Sequence, residues 1–197
     1  MSARLLRAAD YRRMRWKNGG GWTTELAASA NAAAGTDFDW RISIAEIESD
    51  GAFSTFPNCD RYIALLDGPG MELQFDDGAE PVRLDQRLRF VRFDGEAKTF
   101  GRLLGGAVRD FNVMVRRDCV RAEVLHRPLV GPMVFLPEAA TTWFVYLVAG
   151  QAALKDVAGM QLEAGESLLL QPGDAAQTRV LSGGGEVVLV KLTQLPA

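Results

Sequence analysis

The chain has 197 residues, 48% hydrophobic and 24% charged, with a formal net charge of −3. That length supports one large domain or two small ones, and the composition is that of a soluble globular protein. A weakly acidic chain has no global pull toward nucleic acid or an anionic membrane surface, and no run of about eighteen apolar residues offers a membrane span.

The first 25 residues are locally basic. They hold Arg4, Arg7, Arg12, Arg13, Arg15 and Lys17 against Asp10 and Glu25. A solvated basic edge explains this, and a field that attracts an anionic ligand is the sharper alternative. The apolar pair Leu5-Leu6 runs straight into Arg and Asp, which is not a signal peptide. Cys59 and Cys119 are isolated and form no CxxC. Two such thiols make no disulfide framework, so the expectation is a reduced, cytoplasmic protein.

Residues 1–25 read as a short turn or helix followed by an extended segment. The stretch Trp16-Lys17-Asn18-Gly19-Gly20-Gly21-Trp22-Thr23-Thr24-Glu25 stands out within it. Three consecutive glycines cost backbone entropy and signal close backbone approach or unusual dihedrals. An Ala-rich run over 27–36 has no amphipathic face and reads as a loop. Alternation then begins. Trp40, Ile42 and Ile44 point one way, and Arg41, Ser43 and Ala45 the other, as in a half-buried strand. Residues 51–60 are turn-like. Strands follow at 62–66, 71–75, 82–84 and 88–91, separated by Asp67-Gly68-Pro69-Gly70, Asp76-Asp77-Gly78 and other turn signals. At 111–116, Phe111, Val113 and Val115 form one face, while Asp110, Asn112, Met114 and Arg116 form the other. After a connecting stretch with Pro128, Pro132 and Pro137 come strands at 143–148, 168–170 and 187–192, with Gly183-Gly184-Gly185 as a last turn.

Many short strands with turns about every ten residues predict an all-β sandwich or barrel. An internal echo adds to this. The run Tyr62–Gly68 resembles Phe144–Gly150, and the two glycines lie 82 residues apart. Two β units of similar size fit two stacked jelly rolls. The expected division is 1–120 and 121–197, the halves packing as one unit.

The glycine run matches neither GxxxxGK[ST] nor GxGxxG, so a phosphate loop is the weaker reading. Ser43 and Ser54 have no GxSxG context or partner His. Cys59 lies beside Asp60-Arg61 and reads as a structural thiol. His126 is the only histidine. One imidazole and no Cys cluster cannot build a transition-metal site, so neither metal nor cofactor is expected.

The positive case is anion recognition, because Arg offers a planar fork that matches carboxylate. Arg41 and Ser43 share a strand face, Asp60 stands next to Arg61, and Asp110, Asn112 and Arg116 share another face. The candidate binding set is Trp16, Lys17, Asn18, Gly19, Gly20, Thr23, Glu25, Arg41, Ser43, Ser54, Asp60, Arg61, Asn112 and Arg116. Glu25 and Asp110 are the candidate acid/base groups. For Glu25 an ion pair with Lys17 is the plainer alternative. Trp16 and Trp22 either pack in the core or stack on a planar ligand.

These residues carry a family resemblance. Trp16–Gly21 with Thr23 and Glu25, Trp40–Ala45, Gly51–Pro57 with Asp60-Arg61, and Asp110–Met114 resemble, in that order, the HutD/Ves family of bicupins. The resemblance covers most of residues 11–117, and the C-terminal third matches only in a generic cupin style. It implies two jelly-roll-like β-barrels in one chain and a role linked to histidine utilisation. The implied ligand is a small acidic intermediate such as N-formylglutamate or urocanate, which the protein would sense or buffer. Asn58-Cys59 departs from the family, which more often has Gly and an apolar residue there. A metal-independent enzyme acting on the same acids is the alternative, and a regulator that binds only a pathway enzyme is a third reading. No nucleic-acid or membrane partner is expected, and an exposed strand edge allows a homodimer.

Overall fold

Period-2 alternation decides most of the elements. The computed structural model describes residues 1–29, 38–173 and 177–196. Most of the Ala-rich run therefore lies outside the described residues, although Ala27 and Ala28 already belong to a strand. The fold is all-β. Among the described residues the only helical element is a 3-10 turn at Ala8–Asp10, and no helix is long and apolar enough to cross a membrane.

The chain divides into two compact units, Tyr11–Cys119 and Met1–Asp10 with Val120–Ala197. This corrects the expected 1–120 boundary. The first ten residues leave their sequence neighbours because β1 (Ser2–Leu6) pairs antiparallel with β15 (Ser167–Gln171). Local reading cannot see a partner more than 160 residues away.

The Tyr11–Cys119 unit has two sheets. The larger contains β2 (Arg12–Arg15), β3 (Gly21–Ala28), β4 (Trp40–Ile47), β11 (Val108–Arg116), β6 (Cys59–Asp67) and β9 (Val91–Asp94), in that spatial order. The smaller orders β5 (Gly51–Ala52), β10 (Thr99–Leu103), β7 (Met71–Phe75) and β8 (Val82–Leu84). Ala45, Ile47, Ile63, Leu65 and Val108 from the first sheet meet Met71, Leu73 and Leu84 from the second in one buried cluster. The expected strand at 88–91 begins later, at Val91, because Leu88 takes φ +60°. No strand was expected at 99–103. Asn58 has φ +57°, a left-handed conformation that glycine adopts without cost. Asn is one of the few other residues that adopt it readily.

In the other unit β13 (Thr141–Leu154) lies between β15 and β16 (Arg179–Gln194). β14 (Gln161–Glu163) adds to β13, and β12 (Val120–Phe135) forms the edge beyond β16. Two expectations change here. The Pro-containing stretch is a strand, because an edge strand tolerates Pro128 and Pro132. Gly183-Gly184-Gly185 is no turn but the middle of β16. The glycines are there because β13 crosses very close at its Leu147/Ala149 bulge. A Cβ on Gly185 would stand 1.9 Å from the Ala149 carbonyl oxygen, and one on Gly183 2.1 Å from that of Gln151.

The contrast with an open glycine gives a test. Gly165 has φ +91° but nothing within 4 Å of its Cβ position. Gly165→Ala should cost about 1–3 kcal/mol of backbone strain. Gly185→Ala adds a clash with backbone that no side chain can relieve, so it should cost more than about 3 kcal/mol or prevent folding. Urea denaturation of both variants reads the difference, and equal costs would contradict the account.

Candidate functional site

The Trp16–Glu25 stretch belongs to a hairpin rather than an extended segment. β2 and β3 pair, and the Trp16 N–H donates to the Gly21 carbonyl at 3.0 Å. Gly19 turns the tip at φ +75°. Gly21 passes so close to β4 that a Cβ would stand 2.3 Å from the Glu46 carbonyl oxygen. The Trp16 indole N–H donates to Thr23 Oγ1 at 2.8 Å, and the Gly20 N–H to Asn18 Oδ1 at 3.1 Å. The tip residues are thus held in fixed directions.

Strand register then builds a wall. Across the large sheet Arg41, Met114 and Arg61 form one row, Ser43, Asn112 and Ile63 the next, and Ala45, Asp110 and Leu65 a third. Arg41, Ser43, Ala45, Asn112, Met114 and Arg61 line a cavity of about 530 Å³. The hairpin contributes Arg15, Trp16, Lys17, Asn18 and Thr23, and the segment after β5 contributes Phe53, Ser54 and Phe56. The charged lining residues are Arg15, Lys17, Arg41 and Arg61, with no acid among them. A second, more open hollow of about 360 Å³ shares Phe53 but carries the matched pair Lys98–Asp76 at 3.3 Å.

Nine expected residues therefore converge: Trp16, Lys17, Asn18, Thr23, Arg41, Ser43, Ser54, Arg61 and Asn112. Five do not line the cavity. Gly19 and Gly20 shape the hairpin tip. Glu25 pairs with Arg41 Nε at 2.7 Å, not with Lys17. Asp60 points to the other face of β6, where it accepts from Arg92 at 2.7 Å and Arg117 at 2.8 Å. Consecutive strand residues face opposite ways, so Asp60 cannot orient Arg61. Arg116 is tied to Asp118 through two bonds of 3.1 and 2.6 Å, with Asp39 at 3.6 Å. Trp22 is covered by Arg13 and Arg15, whose guanidinium carbons lie 4.3 and 4.8 Å from its ring centroid.

Phe53 and Phe56 were missed at the sequence level, although two aromatics in a Gly/Ser/Pro-rich segment are a usable signal. Together with Phe93 they surround Arg61, with centroids 5.1, 5.7 and 5.1 Å from its guanidinium carbon. Arg61 is only 4% exposed. Its Nη1 donates to the Ser54 carbonyl at 3.3 Å, and its Nε has no hydrogen-bond partner among the described residues.

A metal does not fit this cavity. Among the described residues no three His, Cys, Asp or Glu side chains are grouped to hold one. The lining cations would repel a metal ion. His126 lies on β12 of the other unit, not in a loop, and stands 4.0 Å from Glu186. Cys59 is fully buried, and burial raises its thiol pKa, which suits a structural side chain and not a nucleophile.

The model of the HutD family matches residues 8–189. The chain belongs to the HutD family. A 21.2 kDa protein from the hutC 3′ region of Pseudomonas putida is 46% identical over 61% of this chain and 62% of that relative. Protein Ves of Cronobacter sakazakii is 33% identical over 91% of this chain and 93% of its own length. Among solved structures, HutD from Pseudomonas fluorescens SBW25 (formate condition) superposes with TM-score 0.82 at 34% identity, covering 99% of this chain and all of that one. The YhhW structure from Escherichia coli, at 13% identity and TM-score 0.68, shares the fold alone.

Asp110 shares a row with the lining residue Ala45 but is not itself part of the lining. Asp110 is 0% exposed, and neither of its carboxyl oxygens has a hydrogen-bond partner among the described residues. Burial pushes its pKa up to about 7, against the opposing pull of the Arg61 guanidinium. Burial also lowers Arg61 to about 10, so it stays cationic at neutral pH. The native pKa of Asp110 exceeds its unfolded value, so between about pH 4 and pH 7 the folded state holds the extra proton. Stability therefore falls as pH rises through that window and levels off above it. Asp110→Asn removes the titration. It should stabilise the protein by a few kcal/mol at pH 8 and little at pH 4. Melting temperatures of both proteins across this range check it, and a parallel pH dependence would contradict the assignment.

Proposed function

We propose that the protein binds a small carboxylate metabolite in the cavity of the Tyr11–Cys119 unit, without a metal, and acts as a sensor, buffer or regulator of histidine utilisation. The observation that carries this is the lining: among the described residues it holds four cations and no acid, and the buried Arg61 has an Nε with no hydrogen-bond partner. A buried guanidinium without its full set of hydrogen bonds is costly, and a bound carboxylate supplies acceptors in the matching geometry. A volume near 530 Å³ is within the range of small-molecule sites. Trp16, Phe53 and Phe56 give the same cavity apolar surface for the ligand's carbon skeleton.

Family membership narrows the candidates. The P. putida relative is described by its place beside hutC, and another relative is HutD itself. N-formylglutamate, urocanate and formiminoglutamate are the acids to try first, and the reading places the protein in the cytoplasm with them.

A metal-independent enzyme acting on the same acids is the second reading, and Asp110 favours it. A carboxyl that titrates near neutral pH is suited to acid/base work. Glu25 is a weaker candidate because it is engaged with Arg41.

Isothermal titration with the three acids tests binding. At least one should bind, chelator should leave the affinity unchanged, and Arg61→Met should weaken it by about 100-fold or more. No heat with any of them would sink the proposal. Product formation followed by NMR over hours, lost in Asp110→Asn while binding persists, would favour the enzyme.

A further inference from the structure

We infer that the cavity takes up its anion together with a proton, and that Asp110 is the group that accepts the proton. This rests on the anion-binding reading above and adds a second, unassigned site to it. The first observation is the placement of Asp110. It lies on the same face of β11 as the cavity-lining Asn112 and Met114, in the row of the lining Ala45 and next to the row of Asn112. Its cross-strand neighbours are Ala45 on β4 and Leu65 on β6, neither of which offers it a donor. The β11–β6 register shifts here by one extra residue of β6, Leu66, while β11 stays in regular register with β4. Neither oxygen has a hydrogen-bond partner among the described residues although the residue is completely buried.

The second observation is the charge around it. Arg61 on β6 is the cation that acts on Asp110. On β4, Arg41 stands in the outer row, and its Nε is taken by Glu25 of β3. On β11 itself, Arg116 is committed to Asp118. The smaller sheet presents Met71, Leu73 and Leu84 to this core, with no charge. Cys59 on β6 is a buried neutral thiol. One guanidinium therefore serves two anionic positions, Asp110 and the carboxylate ligand.

Two negative charges that share one cation in a dry site disfavour each other strongly. Ionised Asp110 competes with the ligand for Arg61. A bound carboxylate removes the compensation that Asp110 needs, so its carboxylate takes a proton from solvent. By linkage the same coupling works in reverse, and protonating Asp110 tightens anion binding by an equal factor. A titration near neutral pH places the exchange where a cell's pH can reach it. In the neutral form the Asp110 hydroxyl becomes a donor on the strand face where Asn112 Oδ1 also has no partner among the described residues.

Calorimetry with N-formyl-L-glutamate as the probe, in phosphate and in Tris at about pH 8, tests this. The probe's own carboxylates are ionised throughout. The heats should differ by the buffers' ionisation enthalpies and report the uptake of close to one proton. Above pH 7 the affinity should weaken by up to about tenfold per pH unit. Asp110→Asn should bind with no proton uptake and a flat pH profile. Aspartate-specific carbon-13 NMR of the unmutated protein reads the same event without a variant, as one carboxyl resonance that moves to its protonated position on ligand addition. Equal heats in both buffers with normal affinity would overturn the inference and leave the anion site standing. Proton uptake that persists in Asp110→Asn would also overturn it. No binding at any pH would remove both.

Discussion

A guanidinium buried among three phenylalanines is the constraint on which the Tyr11–Cys119 unit turns. Arg61 keeps its positive charge at 4% exposure, and its Nε has no hydrogen-bond partner among the described residues. Removing such a group from water costs several kcal/mol unless partners return the lost hydration. Cation–π contact with Phe53, Phe56 and Phe93 returns part of it, at about 1–2 kcal/mol per desolvated contact. The buried carboxylate of Asp110 gives Coulombic attraction but no hydrogen bond. A structure built for stability alone would have closed Asp110 onto Arg61 or replaced both with apolar side chains. Keeping them apart leaves a charged, half-satisfied donor facing a cavity.

The fold holds that arrangement by register. β11 is sandwiched between β4 and β6, so its inward residues are locked opposite theirs. The hairpin of β2 and β3 closes one side, and Gly21 allows it to lie against β4. β3 bulges at Leu26, next to Glu25, and β6 bulges at Leu66, opposite the Arg109/Asp110 step of β11. Glu25 pairs with Arg41, whereas neither carboxyl oxygen of Asp110 has a hydrogen-bond partner among the described residues.

Much of this was legible in the amino-acid order. Alternation at 40–45 and 110–116 assigned Arg41 and Ser43, Asn112 and Met114 to inner faces, and the glycine-rich stretch marked the hairpin that meets them. What was not legible depends on partners distant in sequence. Asp60 and Arg61 are adjacent, yet pleating sends them to opposite faces, so adjacency misled where alternation would have served. Arg116 continues the Asp110–Asn112–Met114 face, but the strand ends there and Asp118 captures it. Gly183–Gly185 looked like a turn because the close backbone that requires glycine belongs to β13. The unit boundary shifted for the same reason, since the pairing of β1 with β15 has no local signature.

The central claim is that a carboxylate belongs on Arg61. A crystal structure of the protein grown with N-formylglutamate tests it most directly. The account predicts a carboxylate within about 3 Å of the Arg61 guanidinium, inside the cavity lined by Arg41, Asn112 and Trp16. A ligand seated in the Phe75–Phe100 hollow or in the other unit, with Arg61 untouched, would contradict it.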